Sequence, residues 1–365
     1  MVQKHNRIGV LTGGGDCPGL NSVIRAVTKA AINKYGMEVV GFLDGFKGLV
    51  ENDYMTLDLK AVSGIGYRGG TILGSSNRDN PFAFYSSLDS QRVATDQSDR
   101  AIANLEGLGL DGLIVIGGDG SLHIAQRFVE KGVAIVGVPK TIDNDLSATD
   151  VTFGFNTAVD TASQALDRLH TTAEAHHRVM ILEVMGRYAG WIALHAGISG
   201  GAHLILIPEI PYKIENVIAK IRKRQWHGKK FSIIVVAEGA VPLGGRQVVQ
   251  KMVAESHDPV RLGGIGQHLA QEIEDLTKIE TRVTVLGHLQ RGGSPIPYDR
   301  ILSARYGVAA VDAFATGQRG TMVSLRGQEI ITVPIKEAIS ELKKVDPESS
   351  MVEAARAMDI GFGDR

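Results

Sequence analysis

Two glycine-rich turns and one acidic segment hold the residues of this chain best suited to chemistry. Gly13-Gly14-Gly15-Asp16-Cys17-Pro18-Gly19 and Gly117-Gly118-Asp119-Gly120-Ser121 each follow an apolar run and open a helical pattern. Glycines at such a junction let backbone N–H groups come close to an anion, and the helix dipole adds favourable charge there. Two such turns facing one crevice would cradle a polyphosphate. Asp119 lies inside the second turn. A carboxylate beside phosphates needs a cation between them, and Mg²⁺ is the natural mediator. One turn alone reads equally as a tight bend with an aspartate cap; the pair argues for phosphate.

Pro139-Lys140-Thr141-Ile142-Asp143-Asn144-Asp145 follows another apolar run. Two carboxylates at i and i+2 of an extended segment project to one side. One can take a proton from a hydroxyl while the other orients it or helps hold metal. Lys140 and Thr141 can contact a transferring phosphoryl group, whose transfer needs mainly positioning and charge neutralisation. Read alone, the segment is also an Asx-rich turn capping the next helix. Arg178, Arg187, Arg282, His288 and Arg291 supply anion binders later in the chain, arginine gripping phosphate bidentately. The pattern GxxxxGK[ST] is absent. Gly64-Ile-Gly66-Tyr-Arg-Gly69 and Gly107-Leu-Gly109-Leu-Asp-Gly112 match GxGxxG without the preceding strand that motif requires.

The elements that must position these residues alternate. Strands are predicted at 8–11, 39–42, 113–116 and 133–138, with helices at 21–33 and 121–131. A long helix at 156–173 is followed by strands at 179–184, 204–207, 233–237 and 282–286. Continuous β-branched runs suggest strands covered on both faces, hence parallel sheets and the α/β class. Ligands of such sheets bind beyond the carboxyl ends of the strands, where both turns and the acidic segment fall. The stretch 242–264 reads as a looped insertion. The tail beyond Val345 is polar with a helical patch at 351–358, and either wraps a neighbour or frays.

Composition bounds the partners. The 365 residues carry 39 Lys+Arg against 40 Asp+Glu, so no overall field points to nucleic acid or to a membrane surface. One cysteine, Cys17, excludes an intramolecular disulfide framework and fits a cytoplasmic protein. The polar start, Met1 to Arg7, does not read as a signal peptide. No apolar run reaches the ~18 residues of a membrane span.

The combined motifs resemble the 6-phosphofructokinase family, whose members use ATP or pyrophosphate. The matching segments are 14–21, 68–75, 117–121, 139–145, 183–187 and 286–295. The resemblance is to the mixed-substrate subgroup and runs from Ile8 to about Val308. It implies two Rossmann-like parallel-sheet domains with the active site in the cleft between them: 1–154 plus approximately 283–345 for ATP and Mg²⁺, 155–282 for the sugar phosphate, and 346–365 as a tail. It further implies Gly15, Arg78, Gly118, Asp119, Gly120 and Ser121 on the nucleotide, with Asp119 on Mg²⁺. Asp143 would be the general base toward the 1-hydroxyl of fructose 6-phosphate, with Thr141, Arg187 and Lys140 completing the catalytic set. Thr141, Ile142, Asp143, Met185, Gly186, Arg187, Glu238, His288, Leu289, Gln290 and Arg291 would line the sugar phosphate. Arg178 and Arg282 would join them from a neighbouring subunit, making a homodimer or homotetramer.

Within that resemblance the donor is read from two positions. Gly120 leaves room for a nucleotide α-phosphate where pyrophosphate users carry aspartate, and so favours ATP. Lys140 is commoner among pyrophosphate users, which keeps a pyrophosphate-dependent phosphotransferase as the alternative. A non-catalytic nucleotide-binding subunit is the remote one, and would be expected to lack Asp119, Asp143 or Arg187. Lipid and NAD kinases share the Gly-Gly-Asp-Gly turn but lack a segment like His288–Arg291. The effector positions of the classical enzymes carry His170 and His203 here in place of an arginine and a glutamate, while Arg25, Lys229 and Lys230 match; weak or absent activation by ADP is expected.

Overall fold

The computed structural model describes residues 7–85, 93–252 and 260–365. The polar stretch 1–6 and the middle of the expected insertion, 253–259, lie outside the described residues. Two sheets, a larger mixed one that is mostly parallel and a smaller one that is all parallel, organise the chain. In the larger, the strands run in the order Glu329–Pro334, Thr321–Arg326, Ile135–Thr141, Leu113–Gly117, Arg7–Thr12, Glu38–Phe42, Tyr54–Thr56, with Phe153–Gly154 beside Ile135–Thr141. Its five central strands are parallel and both edges are antiparallel. The smaller sheet is all parallel, in the order Leu204–Leu206, Ser232–Ala237, Val179–Val184, Thr281–Val285.

The central strands are the β-branched runs, and every residue of Leu113–Gly117 and Val179–Val184 is buried. Helices Leu20–Tyr35 and Pro297–Ala315 pack closely against each other. Gly307 permits this: a Cβ there would stand 2.7 Å from Ala26 Cβ and 2.9 Å from the Val23 carbonyl. The contact fixes the helix that the first glycine turn opens. The bend at Gly19 takes φ 113°, and a Cβ there would meet Ser303 Oγ at 2.6 Å, so only glycine suits both the backbone and the space.

Several boundaries differ from expectation. The strand expected at 133–138 runs Ile135–Thr141 and includes Pro139, which pairs in register with Gly117 at the end of its neighbour. A proline is tolerated there because the ladder is ending and needs few further donors. The second helix starts at Asp119, not at Ser121. The strand Thr281–Val285 belongs wholly to the smaller sheet, and the chain returns to the larger layer only afterwards, through Pro297–Ala315. The tail neither frays nor leaves. Helix Ser350–Ala357 leads to Gly361, which pairs beside Leu204 at the edge of the smaller sheet, and Phe362 is fully buried. Arg356 clasps Asp364 at 2.7 and 3.0 Å.

No described helix is long and apolar enough to cross a membrane.

Candidate active site

A cleft of about 1090 Å³ opens at the carboxyl ends of the strands and is lined from both sheets. The larger sheet contributes both glycine turns, Lys140, Thr141, Asp143 and Asp145; the smaller contributes Glu183, Met185, Arg187 and Glu238. Asp119 and Asp143 therefore face one cavity.

The two turns are locked together from below. Gly13 N–H donates to the Ile116 carbonyl at 2.9 Å, and Gly14 N–H to that of Ser76 at 3.0 Å. Ser75 Oγ donates to the carbonyls of Thr12 and Gly14. A Cβ at Gly117 would lie 2.3 Å from that of Ser121, and one at Gly15 would lie 2.7 Å from Arg291 Nη1. The turns thus pack without side chains and present backbone. Gly118 caps the helix in an extended conformation, so Asp119 and Gly120 form its first turn, where free N–H groups and the dipole favour an anion. His123, one turn on, stands 3.3 Å from Asp119 Oδ1, and the hydrogen bond to Asp119 holds its pKa above the usual histidine range.

Lys140 is buried, and its ammonium donates to the Gly15 carbonyl at 2.6 Å. Burial pushes its pKa down. Arg291 Nη1 donates to the Asp16 carbonyl at 3.1 Å, so the first turn carries two cations behind it. Behind them Cys17 is fully buried, its thiol pushed up to about 12 by burial.

Asp143 and Asp145 are buried at 4% and 8% exposure, and an Oδ1 of each has no hydrogen-bond partner. Unpaired buried carboxylate oxygens are costly. The neighbours respond: burial and the charges of Asp143 and Asp119 push Asp145 up to about 7, and burial with Asp143 pushes Glu238 up to about 7. Such crowding of acids suits a cation. No group of three or more His, Cys, Asp or Glu forms a closed cage among the described residues.

Arg187 adopts φ 50°, and its N–H donates to Glu238 Oε1 at 3.1 Å. A non-glycine residue in this region is held by its surroundings. The absent side chain of Gly239 leaves room for the Arg187 carbonyl, which would be 1.9 Å from a Cβ there.

Of the residues expected at the site, Gly15, Arg78, Gly118, Asp119, Gly120, Ser121, Lys140, Thr141, Asp143, Met185, Arg187, Glu238, His288 and Arg291 line the cleft. Five side chains do not reach it. Ile142 is fully buried in the core. Leu289 is 69% exposed, away from the cleft. Gln290 is buried, and its Oε1 accepts from Met185 N–H at 2.8 Å, so it positions the strand end. Arg178 pairs with Glu280 at 2.7 Å, and Arg282 pairs with Glu280 and Glu274. Gly186 shapes the bend at φ 140°.

Sequence reasoning gave no role to Glu183 and Tyr188, which also line the cleft. Glu183 lay inside an apolar strand run, and that isolated charge was the signal. Its carboxylate accepts from Gly264 N–H at 3.0 Å and Gly266 N–H at 2.8 Å, tying the far wall to the strand.

A family model described as Phosphofructokinase matches residues 7–314. The chain belongs to the phosphofructokinase family. It is 55% identical over 366 residues to "ATP-dependent 6-phosphofructokinase 2" of Clostridium perfringens, covering 100% of both chains. It is 54% identical over 365 residues to "ATP-dependent 6-phosphofructokinase" of Chloroflexus aurantiacus, covering 100% of this chain and 99% of that one. A "Pyrophosphate--fructose 6-phosphate 1-phosphotransferase" of Amycolatopsis methanolica is 52% identical over 343 residues, 94% of this chain and 97% of that one. Among solved structures, the phosphofructokinase of Pichia pastoris in the T-state superposes with a TM-score of 0.77 at 30% identity, over 98% of this chain and 37% of that one. This chain thus spans well under half the length of the Pichia chain.

Proposed function

We propose that this enzyme transfers the γ-phosphoryl group of ATP to the 1-hydroxyl of fructose 6-phosphate, giving fructose 1,6-bisphosphate. One observation carries the reading: Asp119, in a glycine turn that opens a helix, and Asp143, a buried carboxylate with an unpaired oxygen, line the same cleft. Asp143 takes the proton of the 1-hydroxyl as that oxygen attacks the terminal phosphorus in line. The new O–P bond forms as the bond to the β-phosphate oxygen breaks. Thr141 touches the acceptor and the transferring group. Lys140 and Arg187 offset charge developing on the equatorial oxygens. Gly15, Arg78 and the turn from Gly118 to Ser121 hold the nucleotide. Mg²⁺, bound through Asp119 and the donor phosphates, would neutralise charge on the phosphate chain.

Met185-Gly186-Arg187 and Glu238 hold the sugar, and the His288–Arg291 segment grips the 6-phosphate. Arg178 and Arg282, remote from the cleft of their own chain, reach that of a neighbouring copy in a homodimer or homotetramer. The layer of the larger sheet, 1–154 with the return to about 345, acts as the donor domain, and the layer of the smaller sheet as the sugar-phosphate domain. The enzyme works in the cytoplasm.

Gly120 supports ATP because a side chain would stand where the α-phosphate passes. Pyrophosphate is the second reading, favoured by the buried Lys140 ammonium against the first turn. Assaying purified protein with fructose 6-phosphate and Mg²⁺, with ATP and pyrophosphate in parallel, tests both. Turnover with ATP at least tenfold above pyrophosphate is expected; the reverse ratio would replace the donor, and no turnover with either would overturn the function.

A further inference from the structure

The catalytic turn is held from behind by a residue outside the cleft. After the edge hairpin and a short helix, the chain passes between the two sheet layers at residues 342–345. Leu342 pairs with Leu146, and Lys343 N–H donates to the Asp145 carbonyl at 2.9 Å. The Lys343 ammonium donates to Asn144 Oδ1 at 3.1 Å and to the carbonyls of Thr149 and Asp150 at 2.9 and 2.8 Å. Asn144 sits between the two aspartates at φ 53°, and its Oδ1 also accepts from Thr152 N–H at 3.1 Å. From the other side, Trp191 Nε1 donates to the Lys343 carbonyl at 2.9 Å. Two residues on, Val345 N–H donates to Glu209 Oε1 at 2.9 Å, and the same carboxylate accepts from Gly190 N–H. Gly190 and Trp191 begin the helix that follows the Arg187 loop.

We propose that Lys343 is a positioning residue for phosphoryl transfer, fixing the Asp143–Asp145 turn and linking it to the loop that carries Arg187. The proposal deepens the function above and rests on Asp143 as its base. Three acceptors for one ammonium, all on or just after the turn, leave the lysine one arrangement. The left-handed Asn144 needs such a hold, because an aspartate on each side repels the other and favours spreading of the turn. The lysine touches neither cleft nor reacting atoms, so it governs geometry and not affinity.

Lys343→Met keeps the aliphatic stem and deletes the donors; Asn144→Gly keeps positive φ accessible and deletes the acceptor. Lys343→Met is expected to lower kcat about 10- to 100-fold, the scale of a small misplacement, with KM for both substrates within about threefold. Lys343→Arg is expected to recover at least part of the loss. Combined with Asn144→Gly, Lys343→Met should cost no more than the worse single change. Amide hydrogen exchange across 143–152 should quicken in Lys343→Met while the melting temperature, read in parallel, still shows a folded protein. Unchanged exchange there, kcat within twofold of wild type, or losses that multiply in the double variant would each overturn the proposal. Wild-type protein without turnover on fructose 6-phosphate would overturn the base assignment instead, and the exchange comparison would still decide whether Lys343 holds the turn.

Discussion

Placing an aspartate at Gly120 tests the donor assignment directly. Gly120 lies in the first turn of its helix, beside Asp119 and facing the cleft. Taking about 4 Å as the separation between a carboxylate there and a phosphate oxygen, like unit charges repel by roughly 4 kcal/mol at an effective dielectric of about 20. The helix N-terminus offsets about 1 to 2 kcal/mol of that. The remaining ~2 to 3 kcal/mol corresponds to a loss of about 30- to 150-fold in kcat/KM for ATP, and displacement of the α-phosphate by the side chain adds to it. Pyrophosphate has no group at that place, so its turnover should fall far less. Gly120→Ala is the control: it adds bulk without charge and improves helix propensity by about 1 kcal/mol, so it keeps the fold and isolates the steric part. Coupled assays with both donors, at saturating fructose 6-phosphate, give the two ratios. Gly120→Asp retaining ATP turnover within threefold of wild type would refute the reasoning.

Asp143→Asn should lower kcat by about 10²- to 10⁴-fold with little change in either KM; a loss carried by KM would remove Asp143 from the role of base. The same variant should flatten the pH dependence of stability. Asp145 and Glu238 have folded pKa values near 7, above their ordinary 3.8 and 4.5. The folded state therefore holds more protons between about pH 4 and 7, and this contribution to stability falls as pH rises through that window. Melting temperatures of wild type and Asp143→Asn across that range should converge toward the acid end, and parallel curves would count against it. Arg282→Ala should raise KM for fructose 6-phosphate about tenfold or more at unchanged kcat, and mixing it with an Arg187→Ala variant should restore some activity if sites are shared between copies; no recovery on mixing would count against sharing. ADP should leave the fructose 6-phosphate saturation curve in place, because His203 is pushed down to about 3 by burial and accepts from Ile233 N–H at 2.8 Å; a left shift would show an effector site built otherwise.

The site was more legible than the frame around it. Glycine turns and the acidic segment announce themselves because phosphate binding demands bare backbone and paired charge at strand ends, and both turns lie where expected. The central strands were readable for a related reason: burial on both faces leaves an unbroken β-branched run. The edges were not. Glu329–Pro334 alternates between half-buried and exposed residues over most of its length, a pattern that a single sequence shares with many loops. Helix Ser98–Gly107 buries only Ser98, Ala101 and Leu105, too thin a stripe to stand out. Pro139 looked like the end of a strand because proline cannot donate, yet register places it beside Gly117, where the ladder with that strand is ending. The tail misled through its charge. Lys220, Lys223 and Arg356 neutralise Asp359 and Asp364 within the same chain, so a polar composition concealed a docked segment.

The sole sulfhydryl is sealed behind the turn that would take the donor, and almost none of it is ionised at neutral pH. Electrophiles and peroxides that silence other enzymes through an activated cysteine would find nothing to attack here while the fold stays closed. The same shielding makes Cys17 a reporter: the speed with which a thiol reagent captures it would measure how often the floor of the nucleotide site opens, without any engineered probe.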